Sequence, residues 1–174
     1  MHLRPEQQDY AAPFHTYIRL VPDGDLIEIL SQQLAETRTL LASIPEDSGG
    51  FRYAEGKWSL RQVVGHVVDS ERIFAYRALR IGRNDPTPLA GFDQDVLAAS
   101  SPFDEIPLRD ILHEFEAVRT ASIFLLRGMQ PEAWNRLGTS DGKPLTMRAI
   151  AFVIAGHELH HRDIIRTRYL PGIS

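Results

Sequence analysis

Four stretches of the chain repeat apolar side chains at helical spacing. None sustains the two-residue alternation of a half-buried strand, so the sequence predicts an all-α fold. The first runs from about Asp25 to Ser43, with Leu26, Ile29, Leu30, Leu34, Thr37 and Leu41 on one stripe. The second has the sharpest start signal: Ser59 as N-cap, Gln62 three residues on to close a capping box, and Trp58 placed to pack on Val63. It extends to about Arg83. The third opens near Pro107, a residue suited to a first helical turn, and carries Ile111, Leu112, Phe115, Val118, Ser122, Leu125 and Leu126 to about Gly128. The fourth starts near Thr146 and is expected to stop before Pro171 and Gly172.

Helices of this length and number predict a four-helix bundle, and 174 residues of ordinary globular composition predict one domain over residues 1–174. The segment between the second and third helices constrains the topology. A helix from Ser59 to Arg83 is about 37 Å long, and a parallel return along it needs at least about 11 extended residues. The stretch from Asn84 to Asp104 is long enough, whereas a short hairpin would not use it. With Pro86, Pro88, Gly91 and Pro102, it reads as an ordered crossover with one short helical turn near Gln94.

Seven histidines occur, and three fall on apolar stripes. At about 100° per residue, His157 and His161 share a helix face with Ile150, Ile154 and Ile164, while His66 stands among Leu60, Val63, Val67, Ile73 and Phe74. Burying three imidazoles costs several kcal/mol unless each finds a partner, and one divalent ion would satisfy all three through neutral ring nitrogens. Imidazole donors suit nickel or zinc first, with iron or manganese as further options. The alternative is a core histidine bonded to a carbonyl or carboxylate. Axial position favours the ion: His66 lies near the start of its helix and the other pair near the end of theirs, so antiparallel helices bring all three to one level. Parallel helices would separate them by roughly 6 to 12 Å. The crossover makes the second and third helices parallel, so an up-down-down-up bundle supplies the antiparallel pair. Protons compete for the same lone pairs, so metal support of the fold is expected to fade between pH 7 and pH 5.

The string His157-Glu158-Leu159-His160-His161 also matches the zinc-protease pattern HExxH. No Glu or His follows His161 to complete that site, and no edge strand is expected to hold a peptide. Glu158 and Asp69, the latter one turn after His66, are the carboxylates placed to serve the metal site catalytically. His160 sits at the stripe's edge, His113 on a flank, and pattern does not place His2 or His15. Arg119, close to the stripe of the third helix, is expected to pair with Glu71 or Asp69.

A formal charge of −4 with no basic run gives no attraction to nucleic acid or anionic lipid. The apolar run from Ala149 to Ala155 is far short of a membrane span, and the N-terminus lacks a leader pattern, so a cytoplasmic protein is expected. Cysteine is absent, so any thiol in its chemistry comes from another molecule.

At FRYAEGKWSLRQVVGHVVDSERIFAYRALR, TPLAGFDQD and LGTSDGKPLTMRAIAFVIAGHELHHRDII, the sequence resembles the DinB/YfiT-like metalloenzyme family. The resemblance spans nearly the whole chain. It implies an up-down-down-up four-helix bundle, often a homodimer, with a divalent metal on His66, His157 and His161. Members with known reactions include S-transferases that use bacillithiol or mycothiol. The expected function is therefore a metal-dependent enzyme acting on a small molecule, by S-transfer with a low-molecular-weight thiol or by hydrolysis with metal-activated water. A bundle in which the ion is purely structural is the alternative, and a metal-free interaction protein a third.

Overall fold

Capping side chains decide where the long helices begin. The structure, a computed structural model, describes residues 4–173, so His2 lies outside the described residues. After a short α1 (His15–Ile18), α2 (Leu26–Ala42) is capped by Asp25, which accepts from the amides of Ile27 and Glu28. In α3 (Leu60–Gly82) the Ser59–Gln62 capping box forms in both directions. The crossover carries α4 (Gln94–Ser100), capped by Asp93. Pro107 precedes α5 (Leu108–Arg127) without a capping side chain; the Glu46 carboxylate, from a distant loop, accepts from the Leu108 and Arg109 amides instead. Thr146 caps α6 (Met147–Ile164).

Pairwise contacts give the helix directions. Along α3 and α5 the partners rise together: Gly65 meets Phe103 just before α5, Glu71 meets Arg119, and Gly82 meets Met129 just after it, so the two run parallel. Between α3 and α6 the order reverses, with Gly82 near Met147 and His66 near His157. Gln33 bonds to Ala155 and Thr37 to Glu158, which sets α2 parallel to α6. The order is up-down-down-up.

One element has no counterpart in the sequence reading. Leu137–Ser140 (β1) and Lys143–Thr146 (β2) form an antiparallel hairpin, tied to the N-terminal arm through Tyr10 and to the crossover through Leu89. Its turn places Asp141 and Gly142 at φ of 53° and 69°, the left-handed pair that an Asp-Gly hairpin turn uses. Helical structure also continues past α6, through a π turn at Ile165–Tyr169 into α7 (Leu170–Ile173), which contains Pro171. The π turn shifts the backbone pairing, and a proline with no N–H to contribute is then accommodated early in α7.

Apolar packing divides into two clusters separated by a polar level. One holds Leu26 and Leu30 of α2, Phe74 to Ile81 of α3, Ile123 and Leu126 of α5, and Met147 to Ala155 of α6. The other holds Leu41, Leu60 to Val68, Leu108 to Phe115, and Ile165 with Tyr169. Between them every long helix contributes buried polar groups: Gln33 and Thr37, Ser70 and Glu71, Arg119 and Ser122, then His157, Glu158 and Arg162. The Ala149–Ala155 run is apolar all round because α6 is enclosed by α1, α2, α3 and the hairpin, not by lipid. Among the described residues no helix is long and apolar enough to cross a membrane.

Candidate metal centre

His66, His157 and His161 each offer a ring nitrogen within 4.8 Å of the others, at the polar level of the bundle. Two of them are closer still: the Nε2 atoms of His66 and His157 lie 3.1 Å apart. Ser70, one turn along α3, places its Oγ 3.4 Å from His66 Nδ1, which leaves Nε2 directed at His157. The Trp58 ring backs His66 at 4.8 Å, and Tyr17 and Phe74 meet the His157 ring edgewise at 5.1 and 5.7 Å.

These donors fit a divalent ion on three counts. Burial, reinforced by neighbouring imidazoles, pushes His66 down to about 4, His161 to about 3 and His157 well below the usual histidine range, so all three rings are neutral at about pH 7, the state that ligation needs. The 3.1 Å between Nε2 atoms is what two ligands about 2.0 to 2.1 Å from one ion require at coordination angles between about 90° and tetrahedral. The His161 Nδ1 is buried with no hydrogen-bond partner, a deficit of about 1–3 kcal/mol that ligation can remove.

Two hollows reach the trio. A cleft of about 330 Å³ has His66 and His157 in its wall, with Tyr17, Phe74, Arg77 and Phe92 among its other lining groups. A second, of about 240 Å³, reaches His161 between Tyr53, Trp58 and Tyr169.

The other residues picked from the sequence lie elsewhere. Glu158 turns away from the cleft: its carboxylate accepts from Thr37 and lies 3.5 Å from the Arg162 Nε, and burial raises its pKa despite the Arg119 and Arg162 charges. Asp69 is half-buried, pairs with Arg72 at 3.5 Å, and has its pKa raised chiefly by burial. Arg119 is fully buried and grips Glu71 with three hydrogen bonds of 2.8 to 3.0 Å. His160 packs its ring on Tyr17 outside the trio, His113 is exposed, and His15 meets the Tyr10 hydroxyl at 3.1 Å. Sequence reasoning missed the N-terminal arm as a wall of the site. Tyr17 arrives there because Gly156 has no side chain: a Cβ would come within 2.1 Å of the Tyr17 carbonyl oxygen. The Asp141-Gly142 dipeptide signalled the hairpin that brings Ser140 and Lys143 to the cleft.

The DinB superfamily profile matches residues 29–165, which includes all three histidines. The chain belongs to the DinB superfamily. A protein of Oceanobacillus iheyensis, provisionally named a metal-dependent hydrolase, is 26% identical over 138 residues, covering 78% of this DinB chain and 76% of its own. Among solved structures, YfiT from Bacillus subtilis is described as a probable metal-dependent hydrolase with an unusual four-helix bundle topology. It superposes with a TM-score of 0.72 at 18% identity, over 86% of this chain and 87% of its own. A DinB-like protein, YjoA, also from Bacillus subtilis, gives a TM-score of 0.61 at 17% identity, over 86% and 92%. These structural matches establish the shared helical-bundle fold.

Proposed function

We propose that this DinB protein is a metal-dependent hydrolase of small molecules, with His66, His157 and His161 holding a nickel or zinc ion. The observation that supports it best is the neutral, converging histidine trio, of which His66 and His157 stand in the wall of an open cleft. A purely structural ion would be better served by a closed site. Once bound, the ion supplies Lewis acidity and makes a water nucleophilic near neutral pH.

The chain's own groups do the rest. Ser70 keeps the His66 ring turned so that Nε2 faces the centre. Tyr17, Phe74 and Phe92 give the cleft an apolar wall that holds the body of a substrate against the histidines. Glu158 and Asp69 act as positioning residues: Glu158 ties α6 to α2 through Thr37, and Asp69 fixes the exposed side of α3 through Arg72. S-transfer from an external thiol remains the second reading, favoured by a chain that has no cysteine of its own. A cytoplasmic homodimer is part of the same proposal.

The test is metal analysis of untagged protein, followed by hydrolysis assays on chromogenic esters and amides and a spectral titration of the Co²⁺ form with small thiols. Hydrolysis lost in His161→Ala supports the first reading. A thiol-to-cobalt charge-transfer band without hydrolysis supports the second, and protein free of metal would end both.

A further inference from the structure

Three arginines are buried among the described residues, and two of them are paired with acids: Arg162 lies 2.7 Å from Glu36 and 3.5 Å from Glu158. Arg119, fully buried, is neutralised by Glu71. Arg77, 4% exposed, is not: its one hydrogen bond among the described residues runs from Nη2 to the Ala90 carbonyl oxygen, at 2.8 Å. Among the described residues no carboxylate forms a salt bridge with it; Asp141, the acid whose charge it feels, is paired with Lys143 at 3.6 Å. Burial pulls the Arg77 pKa down, as expected for a cation short of compensation.

Arg77 lines the same cleft as His66 and His157, between two aromatic rings whose centroids lie 5.9 Å (Phe74) and 5.3 Å (Phe92) from its guanidinium carbon. The rings hold the fork in place, and among the described residues Nε, Nη1 and the second Nη2 hydrogen have no protein acceptor, so a carboxylate can bridge Nη1 and Nη2 or Nε and Nη2. Since Lys143 and Asp141 cancel at the rim, the cleft keeps one unmatched positive charge beside apolar walls. A planar guanidinium so held recognises a carboxylate by paired hydrogen bonds.

We propose that the cleft takes small carboxylic acids with an aromatic or branched apolar body, the carboxylate on Arg77 and the reacting end toward the histidines. This rests on the reading of the trio as the reactive centre, but the Arg77 subsite is testable without it. About 330 Å³ suits a ligand the size of a substituted aromatic acid.

The experiment is an NMR titration with 3-phenylpropionate and its uncharged isostere 3-phenylpropionamide, on the protein as isolated and after chelation. The acid is expected to bind at least about tenfold more tightly than the amide, the usual yield of a charge-assisted hydrogen bond. That preference should survive chelation and vanish in Arg77→Met, while Phe92→Ala weakens acid and amide alike. Equal binding, or none, in the unaltered protein overturns the proposal without recourse to any variant. So does a preference that chelation removes and Arg77→Met keeps, because the carboxylate then sits on the metal. A protein that binds no metal but retains an Arg77-dependent preference leaves this subsite standing and ends the metalloenzyme reading; metal binding without acid preference does the reverse.

Discussion

His66 and His157 bring their Nε2 atoms to 3.1 Å across 91 positions of sequence. Neither helix alone specifies that distance. It follows from the antiparallel pairing of α3 with α6 at the level where the two apolar clusters part and each long helix turns polar groups inward. The metal centre and the Arg119–Glu71 pair occupy neighbouring parts of that level, one open to a cleft and the other sealed.

His161→Ala should abolish stoichiometric metal binding, while His113→Ala should leave it intact. The first removes a donor from the trio, and the second alters an exposed side chain on α5. Metal-to-protein ratios measured by emission spectroscopy decide the matter, and equal ratios in both variants would show that the wrong histidines are assigned.

Glu71→Gln should destabilise the fold by about 3 kcal/mol, because it leaves the fully buried Arg119 guanidinium without its counter-charge. Arg119→Met combined with Glu71→Gln should cost clearly less than Arg119→Met and Glu71→Gln added together, since it removes both charges at once. Urea midpoints of the four proteins test this. A loss below 1 kcal/mol in Glu71→Gln would mean that water reaches the pair.

Much of the site was legible because its signals are local. Ser59 and Gln62 announce α3, and the helical phase of His66, His157 and His161 puts them inside before any contact is known. The length from Asn84 to Asp104 implies the crossover. Phase also assigned Arg119 to an acidic partner, but choosing Glu71 over Asp69 needed the rotation of α3 against α5. What escaped depends on other parts of the chain. The strands are four residues each, too short to show alternation, and only the Asp141-Gly142 turn marked them. Glu158 follows His157 directly, so adjacency suggested the metal, yet one residue is about 100° of helix and carries its carboxylate to Thr37. The arm bearing Tyr17 has no periodicity of its own; its place is set by the missing side chain at Gly156.

Gly156→Ala should therefore loosen the N-terminal arm. The new Cβ would lie 2.1 Å from the Tyr17 carbonyl oxygen and 2.5 Å from its carbon, and backbone cannot yield as a flexible side chain does. A cost of about 1–3 kcal/mol is expected, with metal still bound. Limited proteolysis is the direct measurement: cleavage before Asp25 should quicken several-fold, and an unchanged rate would mean that the arm is not held at this contact.

Acid supplies the last prediction. The histidines have ordinary pKa values of about 6.5 in the unfolded chain, but burial holds His66 near 4 and His161 near 3 in the fold. Between those limits the unfolded state binds more protons than the folded one, so stability is full above about pH 6.5 and declines as the pH falls toward 4. This makes the metal-free protein melt lower at pH 5 than at pH 7. The increment from added Ni²⁺ behaves differently, because it depends on protonation of the folded site. Those nitrogens stay unprotonated until the pH nears 4, so the gap between melting curves with and without Ni²⁺ should persist at pH 5 and close only below it. Ligands titrating near the free-histidine value of about 6.5 would lose that gap between pH 7 and pH 5, the course the sequence predicts without knowledge of how far burial shifts them. Melting temperatures of chelated protein at half-unit steps from pH 7.5 to 4, with and without Ni²⁺, separate the cases: a gap already gone at pH 6 means that the trio titrates as if in water.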